Sequence, residues 1–533
     1  MNSKTNFKIS TSDSGFYSGF NISVALIPKI IIGILILWVG VYPEYAQQTL
    51  QQTQNWTTEQ FGAWYIYAAG AFMLVCLLLA VVPKTGKIRL GKPNEQAEFS
   101  NFAWFAMMFS AGLGVGMLTY STAEPIFHFI ENPESIQGHT LGKSADNVRA
   151  AFSYSFLHYG LSAWGIYGLV GLALAYFSYN RGMPLTIRIA LSPLLGKSIA
   201  GPLGHAVDIV AILATIIGIG VTIGYGVSQF ASGMFNITGA NWMVSGEDKA
   251  TLSAQLAGLV FIMIASTVSA MSGIKRGIKW LSNINMSLSV CLLAFFILFG
   301  SLGFSIKSLI FGIWDYAALL PQASLTVWSS QDSSNTQALA NWQGAWTIFY
   351  WAWWIAFAPF VGMFLARVSR GRTVREFVFG AMVLPSLMCF IWFALVGGTA
   401  INLELSGIAN GSIVNADLSA QLFRTVNLML SPNLATLMSV LIVVLLSTFL
   451  ITSADSAVLI INTLAAGGAH NKGHAKKHMI IWGVLFSALI ASLLSAGGMD
   501  TLRSAMIIGA LPFSFVMALI SFCTIKALVT HND

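Results

Sequence analysis

Twelve stretches of mainly apolar residues follow one another along this chain, at 27–45, 61–82, 100–121, 150–178, 205–235, 252–273, 280–304, 342–366, 374–400, 433–465, 477–497 and 503–528. A helix crosses the hydrocarbon of a bilayer in about 20 such residues. The spacing therefore predicts an all-α polytopic membrane protein with twelve transmembrane helices, several of them long enough to tilt or break. Composition agrees: of 533 residues, 56% are hydrophobic and 9% charged, whereas a soluble chain carries about 25% charged residues. The net charge of +7 does not mark a nucleic-acid partner, because the basic residues sit in short clusters between apolar runs. Cys76, Cys291, Cys389 and Cys523 lie in or at the end of apolar stretches and far apart. They read as buried free thiols rather than as disulfides, metal ligands or redox centres.

Lys and Arg fix the expected orientation. With a cytoplasmic N-terminus, 21 of the 27 fall on inner segments, among them Lys29, Lys84, Arg188, Arg367 and Lys476. The outer loops keep Lys143, Arg149, Lys249, Lys307, Arg424 and Arg503. Both termini are thus expected in the cytoplasm. Residues 1–20 are polar and lack a cleavable signal pattern, so the first stretch is expected to be retained. The run SIKSLIFGIWDYAALL, early in the loop 305–341, is amphipathic and is expected along the outer membrane surface. The C-terminal tail ends barely past the last stretch, and no accessory domain is expected.

Function in a membrane protein concentrates where polar or helix-breaking residues enter lipid depth. The third stretch, MMFSAGLGVGMLTYSTAEPIFHF, places Gly112, Gly114 and Gly116 near its middle, with Ser110, Glu124 and Pro125 nearby. Three glycines let a helix open, and an opened backbone holds ions or an anionic group where it lines a cavity. The same glycines also suit close helix packing, as do Gly220 and Gly224 in the fifth stretch.

The eighth stretch carries Trp342, Trp346, Trp351, Trp353 and Trp354, with Tyr350, Phe357 and Phe360. An interfacial belt accounts for Trp342 and Trp346. The deeper tryptophans either pack or form an aromatic cage for a cation without hydrogen-bond donors. A trimethylammonium head suits such π faces, each desolvated contact contributing about 2 kcal/mol. Pro359 is expected to break the helix just after the cluster.

In the tenth stretch, Ser447, Thr448, Thr452, Ser453, Asp455 and Ser456 bring many oxygens into an apolar run. They suit a weak sodium site, or they satisfy their own helix backbone. The fourth stretch supplies Tyr159, Trp164 and Tyr167, and His158 reads as a hydrogen-bonded interior histidine. In the fifth, Asp208 reads as ion-paired and Thr215 lies deeper. No Lys or Arg falls in the middle of any stretch.

WTIFYWAWWIAFAPFVGMFLARVSRGRTVREF resembles the signature of the betaine–choline–carnitine transporter (BCCT) family. GLGVGMLTYSTAEP, YGLSAWGIYGLVGLALAY and ITSADSA resemble three further family motifs, and the resemblance covers about residues 25 to 530. It implies a LeuT-like core of two inverted five-helix repeats, in a bacterial cytoplasmic-membrane carrier that forms homotrimers. The segments then expected are a cytoplasmic 1–26, two peripheral helices and a loop over 27–99, a first repeat over 100–304, an outer amphipathic helix and loop over 305–341, and a second repeat over 342–530. Broken helices are expected in corresponding places of the two repeats, the third and eighth stretches.

Carried over by residue, the resemblance implies a substrate cage of Tyr159, Trp164, Tyr167 and Trp354. Trp351, Trp353 and Phe357 line the path, and Gly112, Gly114 and Gly116 receive a carboxylate. Tyr159 and Phe357 stand where betaine carriers have Trp. Gly116 stands where choline carriers have Asp, which favours a zwitterion over a bare cation. A sodium site resembles Ser110, Leu113 and Phe449 by carbonyl or backbone, with Thr452 and Ser453 by hydroxyl. A second site keeps Thr215 and Phe360 but has Ile219 in place of a threonine.

The expected function is cation-coupled uptake of glycine betaine, with trimethylamine N-oxide, a sulfonium analogue, carnitine and choline as rival substrates. No organic cofactor is expected. A channel needs a continuous polar file or a ring of charges. An enzyme needs a reactive constellation, and no HExxH, GxSxG, CxxC or phosphate-binding loop occurs.

Overall fold

A computed structural model describes residues 9–112, 114–246, 248–272, 277–329, 334–468 and 475–531. The regular structure is almost wholly helical, because in lipid each backbone N–H must find its partner inside its own segment. In chain order the principal helices are α1 Ile22–Val41, α2 Pro43–Val81, α3 Asn101–Gly112, α4 Val115–Ile130, α5 Val148–Tyr159, α6 Leu161–Ala175, α7 Pro202–Thr238 and α8 Leu252–Ser272. They continue with α9 Gly277–Phe299, α10 Leu302–Ala323, α11 Phe349–Val368, α12 Leu384–Leu405, α13 Gln421–Met429, α14 Pro432–Ala465 and α15 Ala475–Val529. A two-residue antiparallel pair, Val244–Ser245 with Lys249–Ala250, closes the loop between α7 and α8.

Local chemistry sets the ends. Asn21 caps α1 by accepting from the Val24 N–H. Proline opens α2, α7 and α14, where its missing N–H costs nothing.

Among the described residues, eleven helical segments are long and apolar enough to cross a membrane. They differ from the twelve expected stretches in three places. The third stretch is split into α3 and α4 at an extended Gly114, so neither half reaches spanning length. The last two stretches merge into α15, which bends at Gly497 and Gly498; Gly498 has φ +67°, a left-handed backbone that favours glycine. The amphipathic run forms α10, which is itself long and apolar enough to cross a membrane.

The bundle has a clear inside. Within the most apolar windows, 94% of the residues over Ala145–Asn180 and 83% over Ser334–Val368 are buried, against 28% for α1 and 22% for α10. The aromatic-rich fourth and eighth stretches are thus the central elements. α6 and α11 cross closely: a Cβ on Gly362 would lie 2.6 Å from a Val170 methyl, and one on Gly171 would lie 3.1 Å from the Leu365 Cβ. Gly224 in α7 meets Leu502 and Met499 at 2.8 Å in the same sense, so the packing reading of that glycine pair holds.

Four expectations need correction. Pro359 does not break its helix. α11 runs unbroken through it to Val368, and proline is tolerated within membrane helices. Arg503 is not a loop residue: it sits half-buried in α15, with its guanidinium over the Phe349 ring at 4.2 Å and donating to the Ala345 carbonyl at 2.8 Å. Lys29 lies inside α1, buried against the His478 Nδ1 at 2.8 Å. Cys291 is exposed, unlike the other three cysteines, on the outer face of α9 beside Val290.

Asp208 is ion-paired, its Oδ2 accepting from the Arg188 Nε at 2.6 Å with both side chains fully buried. Removing one partner of such a pair strands the other charge, at a cost of about 3–5 kcal/mol. Asp208→Ala is expected to lower the melting temperature and the yield of detergent-solubilised protein, whereas an apolar replacement of both residues recovers part of the loss. Equal stability of Asp208→Ala and the parent would contradict this role.

Candidate binding site

A cavity of about 430 Å³ opens where the break between α3 and α4 meets α5, α6, α7, α9, α11 and α14. The sequence builds its aromatic wall by interrupting a helix. α5 ends at Tyr159 and α6 begins at Leu161, with Gly160 extended between them. The Trp164 indole N–H donates back across that interruption to the Tyr159 carbonyl at 3.1 Å. Tyr159, Trp164 and Tyr167 therefore present their rings in one direction.

α11 supplies the facing ring. The Trp354 centroid lies 4.7 Å from Tyr167, 5.5 Å from Trp164 and 5.6 Å from Tyr159, at interplanar angles of 51°, 63° and 84°. The four rings thus meet at tilted and edge-on angles rather than stacking face to face. All four rings line the cavity and are buried. Trp353 and Phe357 also line it. A Cβ on Gly116 would lie 3.3 Å from the Trp353 ring, so that glycine admits the indole, while a Cβ on Gly114 would meet open space. Trp351 is placed elsewhere: it is buried edge-on to His158 at 6.1 Å and is not on the cavity wall.

α14 brings polar groups to the wall. Phe449, Thr452 and Ser453 of α14 line the cavity. The Thr452 hydroxyl lies 2.9 Å from the Thr448 carbonyl and 3.1 Å from that of Phe449, and it accepts from the Asn285 amide at 3.2 Å. Leu113 and the side chain of Ser110 lie outside the described residues, and Gly112 ends α3. Of the second expected ion site, Phe360 borders the cavity, the Thr215 hydroxyl donates to the Ala211 carbonyl of its own helix at 2.8 Å, and Ile219 is buried. Asp455 is fully buried one turn beyond Thr452, where it accepts from Ser269 at 2.6 Å and from Ser456 at 3.1 Å.

Behind the cage, Glu124 of α4 is fully buried. Its carboxylate accepts from His158 Nδ1 and from the Tyr350 hydroxyl, each at 2.6 Å, with His128 Nε2 at 3.4 Å. His158 is thus a hydrogen-bonded interior histidine, as its position suggested.

Three wall residues carried no clear sequence signal. Tyr350 is one ring among many in its stretch. Thr222 lines the cavity two turns beyond Thr215, with a buried hydroxyl that has no partner among the described residues. Asn285 of α9 sits in an otherwise ordinary apolar run.

The BCCT family model, described as betaine/carnitine/choline family transporter, matches residues 23–533. "Glycine betaine transporter OpuD" of Bacillus subtilis is 37% identical over 500 residues, which cover 93% of this chain and 92% of that protein. "Glycine betaine transporter" of Acinetobacter baylyi is 37% identical over 521 residues, 97% of this chain and 74% of that protein. "Osmo-dependent choline transporter BetT2" of the same organism is 33% identical over 518 residues, 95% of this chain and 71% of that protein. A helical membrane bundle with an aromatic-lined cavity, matched by that family over nearly its whole length, is an integral membrane transporter rather than an enzyme, and this chain belongs to the betaine/carnitine/choline transporter (BCCT) family.

Proposed function

We propose that this transporter couples sodium entry to uptake of a zwitterionic quaternary-ammonium solute, glycine betaine first, across the bacterial inner membrane. The observation that carries the reading is the box formed by Tyr159, Trp164, Tyr167 and Trp354 around a single cavity. A trimethylammonium head has no N–H to donate, so hydroxyl and carboxylate partners receive no hydrogen bond from it. Aromatic faces attract it at about 2 kcal/mol per desolvated ring.

Other parts of the cavity lining suit the rest of the molecule. Thr222 offers a buried hydroxyl donor without a partner, and Gly114 leaves room for a carboxylate beside the opened backbone. No Asp or Glu lines the cavity among the described residues, which favours a zwitterion over choline. The relatives named for glycine betaine support the same choice. Trimethylamine N-oxide, a sulfonium analogue and carnitine remain the competitors to include in assays.

Sodium binding is assigned to Phe449, Thr452 and Ser453, together with Ser110 and Leu113. Hard cations take oxygen ligands, and neutral ones keep the site weak enough to release. Binding there would tie the α3–α4 break to α14 beside the occupied cage, in a LeuT-like alternating-access cycle. A cavity lined by both the cage and Arg367 and Thr463 at the helix ends fits an inward-facing state, given cytoplasmic termini. A trimer is the assembly we expect.

Radiolabelled uptake into proteoliposomes, with and without a sodium gradient, tests the whole reading. Sodium-dependent uphill accumulation of unmodified glycine betaine is the expected outcome; gradient-independent equilibration would contradict coupling. Trp354→Ala is expected to lower apparent affinity by about 30-fold or more at normal expression, and wild-type uptake by that variant would remove the cage from the account. Replacing Thr452 and Ser453 together by Ala should raise the sodium concentration needed for half-maximal uptake about 10-fold; an unchanged sodium response would reject the site.

A further inference from the structure

We infer that Arg503 is a latch: it holds shut the layer of rings that closes the cavity on the side away from its mouth, and its release lets that side open. The inference rests on the reading of the cavity as the solute site of an alternating-access carrier.

The cavity runs toward one end of the bundle. On α11 it extends from Tyr350 to an exposed Arg367, next to the last residue of the helix, and on α14 from Phe449 to Thr463, near its end at Ala465. In the other direction it stops at rings. Tyr350 and Trp353 line the cavity, whereas Tyr120 of α4, Tyr225 of α7 and Phe349 of α11 are buried and do not. The Tyr120 centroid stands 5.6 Å from Tyr350, 5.9 Å from Trp353 and 5.4 Å from Tyr225. Trp353 stands 5.8 Å from Tyr225 and 5.5 Å from Phe349. Side chains of three helices thus meet beside the cage, and a solute arriving from that direction has to part them. With cytoplasmic termini, that side is the outer one.

Arg503 fastens this layer from α15. Its guanidinium lies over the Phe349 ring at 4.2 Å and donates to the Ala345 carbonyl, one turn earlier in the same stretch, at 2.8 Å. α15 is itself braced here by α2. The Ser504 hydroxyl donates to Gln54 Oε1 at 2.5 Å, and a Cβ on Gly497, at the bend, would lie 2.5 Å from the Gln47 Cδ. Arg503 therefore ties the braced pair α2–α15 to the start of α11. A half-buried cation–π contact and one carbonyl hydrogen bond are weak enough to part in every cycle. Because the closed layer makes both contacts and a parted one loses them, they bias the carrier toward the form whose mouth lies at Arg367.

Met117 lines the cavity one turn from Tyr120 on α4, so Met117→Cys reports which side the cavity faces. Its labelling by a membrane-impermeant maleimide is followed in right-side-out and inside-out vesicles, with the parent chain as control for the exposed Cys291. Arg503→Gln is expected to raise the outside-to-inside ratio of labelling rates about 10-fold, and to lower both the external KM and kcat of uptake. Arg503→Lys keeps a charge over the ring and should fall between. Phe349→Leu removes the ring beneath the guanidinium and should shift the ratio the same way, with the double variant shifted by less than the sum of the two. An unchanged ratio in Arg503→Gln, or in Phe349→Leu should Arg503→Gln not fold, would overturn the latch. Saturating glycine betaine is expected to slow labelling in every variant. Labelling that glycine betaine does not slow, with the ratio shifted, would instead overturn the solute-site reading and leave the latch.

Discussion

The site depends on how closely two buried helices approach. α6 and α11 meet at Gly171 and Gly362, with no side chain on either glycine to hold the backbones apart. That contact sets the span between the rings of α6 and Trp354 on α11. Larger residues at either glycine would widen the box, and π attraction falls off steeply with distance. The interruption at Gly160 and the Trp164 bond to the Tyr159 carbonyl then aim Tyr159 into the same space. Aromatic residues alone do not make a cation site; this crossing turns four of them into one.

Polar groups inside the bundle follow the usual rule that a buried charge keeps close company. Asp208 holds Arg188, Asp455 takes two serine hydroxyls, and Glu124 takes a histidine and a tyrosine. None of the three opens directly onto the cavity. The cavity wall is left with aromatic rings, neutral side-chain oxygens of α14 and Arg367. Such a mixture suits a ligand whose positive head and polar tail must both be released again.

Much of this was legible from residue pattern. Apolar length and charge alternation gave a membrane bundle, and the crowding of Trp353, Trp354 and Phe357 marked the central helix. The glycine run correctly flagged the α3–α4 break. Other features were hidden because they depend on partners distant in sequence. Nothing local distinguishes Trp351, which faces His158, from Trp353 and Trp354, which face the cavity. Likewise Thr215 and Thr222 share one helix, yet only the second reaches the wall, a matter of helical phase against neighbours. Pro359 looked like a breaker because proline usually is one in water; within a packed bundle the helix runs through it. Helix count was blurred where one apolar stretch split and two others joined across a bend at Gly497 and Gly498.

The central claim is spatial: a quaternary head lies among the rings of Tyr159, Trp164, Tyr167 and Trp354. A cryo-electron microscopy map of the protein in lipid nanodiscs, collected with and without saturating glycine betaine, addresses it most directly. The account predicts new density inside the box, with the nitrogen within about 6 Å of the Trp354, Trp164 and Tyr167 centroids. Ligand density elsewhere in the molecule, with the box empty, would contradict it.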